Sequence, residues 1–176
     1  IFETSSKFTN SATVNVGAAA VLQNDSSSEA TYLAGSSLTA PTLNSVRIPS
    51  GTVYLQTTNI TTPSFLINGG TLQIGTGTGS GGILLSNTGS LVNDGTLVFS
   101  RGVDSSVSGV ISGAPGVGFV KKVGGLFEIW GANTFSGTST VQAGELLTYG
   151  ADVTLGTAGA GTSVFQGAKL TLSWAN

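Results

Sequence analysis

The feature that most constrains this chain is a short unit of two strands joined at a glycine, which recurs along the sequence. Each copy has an apolar pair before the glycine and an alternating strand after it, as in LVNDGTLVF at residues 91–99. Strand and turn follow one another so closely that no room remains for a helix. The anchoring glycines are Gly17, Gly51, Gly70, Gly95, Gly125, Gly144 and Gly167.

Successive anchor glycines are separated by 34, 19, 25, 30, 19 and 23 residues. Irregular periods of this size are typical of solenoids whose coils share their strands and differ in the length of their corner loops. The sequence therefore predicts an all-β fold, a single right-handed parallel β-helix (β-solenoid) of about seven coils over residues 1–176. Residues 26–45 are the least regular part and are predicted to form a corner loop or a degenerate coil.

The composition favours a folded β-structure over a disordered chain. Charged residues make up only 8% of the sequence, against about 25% in an average soluble domain. Val, Ile, Leu and Phe nevertheless recur in nearly every coil, and disordered chains lack such a pattern. We expect these side chains to stack inward, with Thr, Ser, Asn and Gln covering the outside of the strands.

The residue types present exclude most catalytic chemistry. The chain has no His and no Cys, which removes the Ser-His-Asp and Cys-His mechanisms and the usual zinc sites. The eight acidic residues are predicted to be solvated corner charges, not the paired carboxylates of a glycosidase or a calcium site. We predict that the chain is not an enzyme and has no catalytic residue, metal site or cofactor; an enzyme using Asp94 and Asp104 is the weakest alternative.

Charge and hydropathy also limit the partners. A net charge of −2 with six scattered basic residues does not build the basic surface that nucleic acids require, so we predict no nucleic-acid partner. No apolar run approaches the roughly 18 residues needed to span a bilayer. The sequence therefore predicts no membrane insertion of this segment.

Four short motifs follow one another between about residues 109 and 150. They read SGVISG (108–113), GGLFEI (124–129), GANTFSG (131–137) and TVQAGEL (140–146). In this order they resemble the autotransporter-associated β-strand repeat, also called the passenger-associated transport repeat. The resemblance implies a parallel β-helix in a protein exported to the bacterial cell surface, where such repeats form the stem of type V passenger domains and of other large secreted proteins, and it transfers no catalytic residues. The strand FEIW at residues 127–130 is bulkier than the repeat usually has.

These observations lead us to expect a non-catalytic extracellular structural β-solenoid that forms a bacterial surface stalk or fibre. No capping helix is predicted at either end, and an uncapped solenoid exposes unpaired strand edges. The expected partner is another copy, joined head to tail by end-to-end stacking or strand exchange, or the adjoining coils of a longer parent chain. The residues predicted at this contact are Ile1, Phe2, Leu170, Thr171, Leu172 and Trp174.

The alternative is an adhesin, a binding module that recognises a glycan or a surface through a strand face or a loop. Tyr54 and Trp130 are its candidate contacts, because aromatic rings provide flat platforms for ligands. A related expectation concerns the threonines that follow three of the anchor glycines: Thr52, Thr71 and Thr96. They are predicted to stack in one column, which either solvates an uncharged strand face or builds an ice-binding surface.

Overall fold

The computed structural model describes the chain most fully between residues 46 and 173. Backbone and side chains are described for residues 47–54, 66–75, 77, 91–114, 123–150, 155–157 and 161–173. The backbone alone is described for residues 2–4, 8–10, 14–15, 22–24, 30–33, 37–39, 46, 55, 59–61, 64–65, 84–85, 90 and 119–121. Every regular element in these residues is a β-strand, and they contain no helix.

The strands form four sheets. Sheet A has the order β1 (Phe2–Thr4), β4 (Leu22–Asn24), β7 (Val46–Ile48), β10 (Ser64–Ile67), β13 (Ser90–Asn93) and β16 (Val110–Ser112). Sheet B has the order β2 (Phe8–Asn10), β5 (Ala30–Leu33), β8 (Thr52–Leu55), β11 (Thr71–Ile74), β14 (Thr96–Phe99), β17 (Phe119–Lys121), β19 (Ser139–Val141) and β21 (Thr162–Val164). Sheet C has the order β3 (Val14–Asn15), β6 (Ser37–Thr39) and β9 (Asn59–Thr61). Sheet D has the order β12 (Leu84–Leu85), β15 (Ser105–Val107), β18 (Leu126–Ile129), β20 (Glu145–Tyr149) and β22 (Lys169–Ser173).

The chain winds through these sheets as a solenoid. Up to β18 it passes from sheet A to sheet B and then to sheet C or sheet D, and the described strands after β18 alternate between sheets B and D. Strand β12 of sheet D lies against β9 of sheet C. All the strand pairings are parallel, and paired residues lie 19 to 26 positions apart. The predicted all-β, parallel β-solenoid is therefore confirmed. The structure supports about four turns, so the number of seven coils and the right-handed sense stay predictions.

Five of the anchor glycines fall in two different corners of the coil. The threonines that follow Gly51, Gly70 and Gly95 pair in register in sheet B, so these three glycines share one corner. The residues that follow Gly125 and Gly144 pair in sheet D, so these two share another. The long spacing from Gly95 to Gly125 thus joins two different corners in successive coils. The number of anchor glycines therefore does not equal the number of coils.

The two stretches singled out in the sequence both contain strands. Strands β5 and β6 lie within residues 26–45 and pair in register with β8 and β9. The other residues of that stretch lie outside those described. Strands β16 to β20 lie within residues 109–150, the part that resembles the autotransporter-associated repeat.

The core is a stack of apolar side chains from alternate strand positions. In β11, Leu72 and Ile74 are buried while the residues before each of them are only partly buried. Phe99 of sheet B stacks on Phe127 of sheet D, with ring centroids 3.8 Å apart. The predicted inward stack is confirmed for the described residues, whose core cluster is Ile48, Val53, Ile67, Leu72, Ile74, Leu91, Leu97, Phe99, Val107, Ile111, Phe127, Ile129, Phe135, Val141 and Leu146.

Successive coils approach closely at the corners, and polar side chains tie them together. A Cβ on Gly95 would collide with the carbonyl oxygen of Gly70 one coil away. After β18, Asn133 connects its corner to β16 of the preceding coil. Its Oδ1 accepts a hydrogen bond from the backbone N–H of Ile111 at 2.8 Å, and its Nδ2 donates to the carbonyl oxygen of Gly131 at 2.8 Å. The GANTFSG corner is therefore fixed by the asparagine side chain.

Candidate functional site

Two large aromatic side chains lie exposed at the C-terminal ends of two adjacent strands of sheet D, β18 and β20. Ile129 of β18 and Thr148 of β20 pair in register, and both are buried. Trp130 and Tyr149 follow them directly in the sequence. Because successive side chains of a strand point to opposite faces, Trp130 and Tyr149 lie on the outer surface at the same position in adjacent coils.

The two rings contact each other and a carboxylate. The ring centroids of Trp130 and Tyr149 are 4.5 Å apart, with 47° between the ring planes. The indole Nε1–H of Trp130 donates a hydrogen bond of 3.1 Å to Oε2 of Glu128. Trp130 is 44% exposed and Tyr149 is 38% exposed. We call Glu128, Trp130 and Tyr149 the aromatic cluster.

The aromatic cluster combines two kinds of binding chemistry. Tyrosine and tryptophan present large apolar faces together with polar atoms, which suits ligands that have both apolar and polar surfaces. A carboxylate offers about four lone-pair sites, and the indole of Trp130 takes one of those on Glu128. The cluster can therefore stack on a flat molecule and also accept hydrogen bonds from it.

The structure does not bring the two predicted ligand contacts together. Tyr54 lies in β8 of sheet B, where it pairs with Tyr32 on one side and with Gln73 on the other. Trp130 follows β18 of sheet D. Of the two candidates, only Trp130 is part of the aromatic cluster, whose other ring, Tyr149, was missed in the sequence.

The predicted threonine column exists but is narrow. Thr52, Thr71 and Thr96 pair directly with one another in sheet B, which confirms their register. The column two residues further along these strands is mixed in chemistry and includes Tyr54, Gln73 and the buried Val98. Because one row of hydroxyls beside a mixed row is not a flat hydroxyl array, the geometry favours solvation of the strand face over ice binding.

A second exposed surface lies on the last coil. Strands β21 and β22 stand last in sheets B and D, next to β19 and β20. Phe165 is 53% exposed and Leu172 is 56% exposed, and Val164 is exposed as well. We call these three side chains and the outer edges of β21 and β22 the end surface.

Of the predicted assembly residues that the structure describes, three lie in the last coil and one lies in the first strand of sheet A. Leu172 belongs to the end surface, whereas Leu170 is partly buried and packs against the core. Thr171 faces away from the core, and its hydroxyl donates a hydrogen bond of 2.5 Å to Oε1 of Glu145. Phe2 lies in β1, which stands first in sheet A. The other two predicted residues lie outside the part that the structure describes: Ile1 and Trp174.

Glu145 connects the last coil to the one before it on the outer face of sheet D. Besides the bond from Thr171, its carboxylate pairs with Lys169, with Nζ and Oε1 3.0 Å apart. The hydrogen bond from Thr171 and then that from Lys169 lower the pKa of the Glu145 carboxylate, and partial desolvation opposes them. Because both charged groups are accessible to water, the ion pair adds little to stability.

Two further carboxylates hold corners in place. Oδ1 of Asp94 accepts a hydrogen bond of 2.5 Å from the backbone N–H of Ala114 in the next coil. Oδ1 of Asp104 accepts one of 3.0 Å from the backbone N–H of Leu126, also one coil away. Among the residues with described side chains, no three acidic groups come together in a way that could hold a metal ion.

Comparison of the chain with models of protein families, with curated proteins and with solved structures gives no match. The relation to the autotransporter-associated repeat therefore remains a prediction based on four motifs. Within the described ranges, no helix has the length and apolar character needed to cross a bilayer.

Sequence reasoning missed Tyr149 and the exposed Phe165. A signal for Tyr149 was present, because Phe127 pairs with Leu146 and this offset of 19 residues also separates Trp130 from Tyr149. Recognising that Tyr149 lies beside Trp130 requires the register of sheet D. The anchor glycines did not give this register, because they belong to two different corners of the coil. Phe165 directly follows a strand and carries no pattern that distinguishes an exposed end from a buried coil.

Proposed function

We propose that this chain is a non-catalytic extracellular structural β-solenoid that forms a bacterial surface stalk or fibre. In this proposal the solenoid is right-handed, since crossovers between parallel strands of one sheet are right-handed in about 98% of cases. It has about seven coils, which at about 4.8 Å per coil gives an axial length of about 35 Å. Copies join head to tail by end-to-end stacking or strand exchange.

The observation that carries the proposal is the end surface. In a parallel ladder, successive residues direct their backbone groups alternately to the two neighbouring strands. Lys169 donates its N–H to the carbonyl oxygen of Gly144, so the backbone of Lys169 faces β20. The intervening residues Leu170 and Leu172 consequently direct their N–H and C=O groups to the outer edge of sheet D. An edge of this kind pairs readily with another strand.

The apolar side chains beside that edge supply a second driving force. Phe165 and Leu172 expose about half of their surface, and such exposure is costly unless a partner covers it. The occupant proposed here is the first coil of the next copy, which contains β1 and β2, the first strands of sheets A and B. A contact between two different surfaces generates an open filament when successive copies do not close into a ring, and copies that stack along the solenoid axis do not close.

The extracellular location is supported by the composition and by the resemblance. The chain has no Cys, which suits an oxidising compartment where free thiols would cross-link. The corners that resemble the autotransporter-associated repeat are held by side-chain hydrogen bonds such as those of Asn133. These hydrogen bonds need neither a cofactor nor a disulfide. In the same proposal, the adjoining coils of a longer parent chain could cover the end surface in place of a second copy.

The test is a substitution at the open edge with a matched substitution on the side of the solenoid. L172P removes an N–H that faces outward and leaves the bonds between β20 and β22 intact, whereas proline at Thr171 would break that internal ladder. L172K adds a charge at the same place. Val110 is also exposed and apolar but lies in β16 on sheet A, so V110K is the control.

We expect the wild-type chain to form filaments in electron microscopy, with mass that rises with concentration in light scattering. L172P and L172K should remain monomeric with an unchanged far-ultraviolet circular dichroism spectrum, and V110K should assemble like the wild type. A wild-type chain that stays monomeric at every concentration, or an L172P chain that assembles normally, would contradict the end-to-end mechanism.

A further inference from the structure

We propose that the aromatic cluster, Glu128 with Trp130 and Tyr149, is a binding site for a sugar ring of a neutral glycan. This inference goes beyond the structural role, because it concerns the side of the solenoid and not its ends. It assigns a defined binding site to the alternative function, that of an adhesin. It depends on the position, the exposure and the chemistry of the three side chains.

The register of sheet D shows that the two rings stand in a column with polar neighbours. Val107 pairs with Ile129, so Ser108 occupies the position equivalent to Trp130 in the preceding coil. Tyr149 pairs with Ser173 in the following coil. The outward column therefore reads Ser108, Trp130, Tyr149 and Ser173, with about 4.8 Å between successive coils. Two aromatic residues are thus flanked by a hydroxyl residue on each side.

The column also shows that the corner does not need aromatic residues in order to fold. Serine stands at the equivalent position in the neighbouring coils, before the aromatic pair and after it. Trp130 and Tyr149 leave 44% and 38% of their surfaces exposed, so they contribute less burial than core aromatics do. Exposed, contiguous aromatic surface on a polar background is typical of a binding site.

The chemistry of the cluster selects a sugar. One face of a pyranose ring carries C–H groups that pack on an aromatic ring, and its rim carries hydroxyl groups that donate hydrogen bonds. Glu128 uses Oε2 to hold the indole N–H at 3.1 Å, and its remaining lone pairs can accept hydroxyl protons. The negative charge of Glu128 disfavours anionic sugars, which is why the proposed ligand is neutral.

The hydrogen bond also fixes the orientation of the indole before a ligand arrives. Ordering a mobile side chain on binding costs conformational entropy, which weakens a complex. A side chain that is already held in place avoids most of this cost. Tyr149 also contacts the indole, with ring centroids 4.5 Å apart. The site is therefore pre-formed, and we expect dissociation constants on the order of 1 mM or lower for a single sugar unit.

The experiment is a glycan array with the full 176-residue chain, followed by fluorescence titration with the neutral glycans that bind. The chain has two tryptophans, so the titrations use a W174F background in which Trp130 is the only indole. Cellotetraose and N-acetylchitotetraose are titrated in every case as fixed probes. We expect saturable changes in Trp130 emission, and a loss of affinity of about tenfold or more in Y149A. On the array, W130A should lose the neutral glycans that the wild type binds.

Matched variants test whether binding depends on this cluster and on which of its properties. Y54A removes an aromatic ring from sheet B and should bind as the wild type does. E128Q leaves a weaker oxygen acceptor and removes the charge, so neutral sugars should bind up to about threefold more weakly, and the discrimination against anionic sugars should fall. Tetramethylammonium serves as a cationic probe, because cations also stack on aromatic rings. The same titration in L172P tests the site without any assembly of copies.

Three results would overturn the proposal. The first is an array on which no neutral glycan binds together with titrations in which neither tetrasaccharide perturbs Trp130. The second is binding that W130A and Y149A leave unchanged. The third is a response to tetramethylammonium alone, or a loss of self-association in W130A, either of which assigns the rings to a different partner. Apart from the test of self-association in W130A, these results do not depend on whether the end surface forms filaments.

Discussion

Replacing Asn133 with alanine tests how the corners of the solenoid are held. Asn133 is 2% exposed, and its side chain makes two hydrogen bonds of 2.8 Å, one from the N–H of Ile111 and one to the carbonyl oxygen of Gly131. The first bond joins two successive coils, because Ile111 lies in β16. N133A removes both bonds without adding bulk or charge.

The expected loss of stability follows from the hydrogen bonds that each partner of Asn133 retains in N133A. The carbonyl oxygen of Gly131 keeps the backbone N–H of Asn133 as a donor, at 2.9 Å. The N–H of Ile111 loses a buried acceptor, and an unsatisfied buried donor costs about 1–3 kcal/mol. We therefore expect N133A to lower the free energy of unfolding by about 2 kcal/mol. For a chain of this size, that corresponds to a fall in Tm of about 4–8 °C.

The control is an asparagine that is not buried. Asn68 lies in the corner between β10 and β11 and is exposed, so N68A should change stability by less than about 0.5 kcal/mol. Urea and thermal unfolding followed by circular dichroism compare the two variants with the wild type. Hydrogen exchange should also show faster exchange of the Ile111 amide in N133A. Equal stability of N133A and N68A would refute the idea that the side chain of Asn133 holds the corner.

Three further perturbations have defined outcomes. G95A forces a Cβ against the backbone of the preceding coil and should cost about 1–3 kcal/mol in urea unfolding, while G124A, with no atom within 4 Å, should be close to neutral. F127A removes a fully buried ring from the Phe99 stack and should cost about 3–5 kcal/mol by the same assay. The pKa of Glu145 is lowered in the folded chain. The contribution of Glu145 to folding stability is therefore present above its pKa in the unfolded chain, and it is lost as the pH falls through its pKa in the folded chain. The protection factors of the β22 amides, which correct for the intrinsic pH dependence of exchange, should therefore fall in acid in the wild type, and a wild-type profile identical to that of E145Q would contradict this assignment.

Much of the fold could be predicted because its signals are local. The alternation that buries Leu72 and Ile74 in β11 is visible in the sequence as TLQI. The direct pairing of Thr71 with Thr52 and Thr96 is visible as repeated Gly-Thr steps. In a parallel solenoid, a local strand pattern that repeats also gives the contacts between coils, because each strand pairs with its counterpart in the next coil.

The remaining features depend on register between corners of unequal length, which local patterns do not contain. Gly95 and Gly125 look alike in sequence but lie at different corners, and only the pairing of strands in sheets B and D separates them. The role of Asn133 is equally non-local, since its partner Ile111 is 22 residues away. The exposure of Phe165 depends on which strand stands last in sheet B. Each of these facts requires the three-dimensional path of the chain.

The two proposals use different geometric properties of the solenoid and can therefore fail separately. End-to-end assembly needs only the open edge and the apolar side chains of the last coil, of which Leu172 is the most exposed. Glycan binding needs residues repeated along one outward column, Trp130 and Tyr149, within sheet D. Assembly of many copies would place such a column at a regular interval along a filament, so weak binding to one sugar would add up to strong attachment to a surface rich in that sugar. A W130A variant that forms filaments but binds no glycan, together with an L172P variant that stays monomeric but binds glycan, would show that both properties reside in one chain and that neither requires the other.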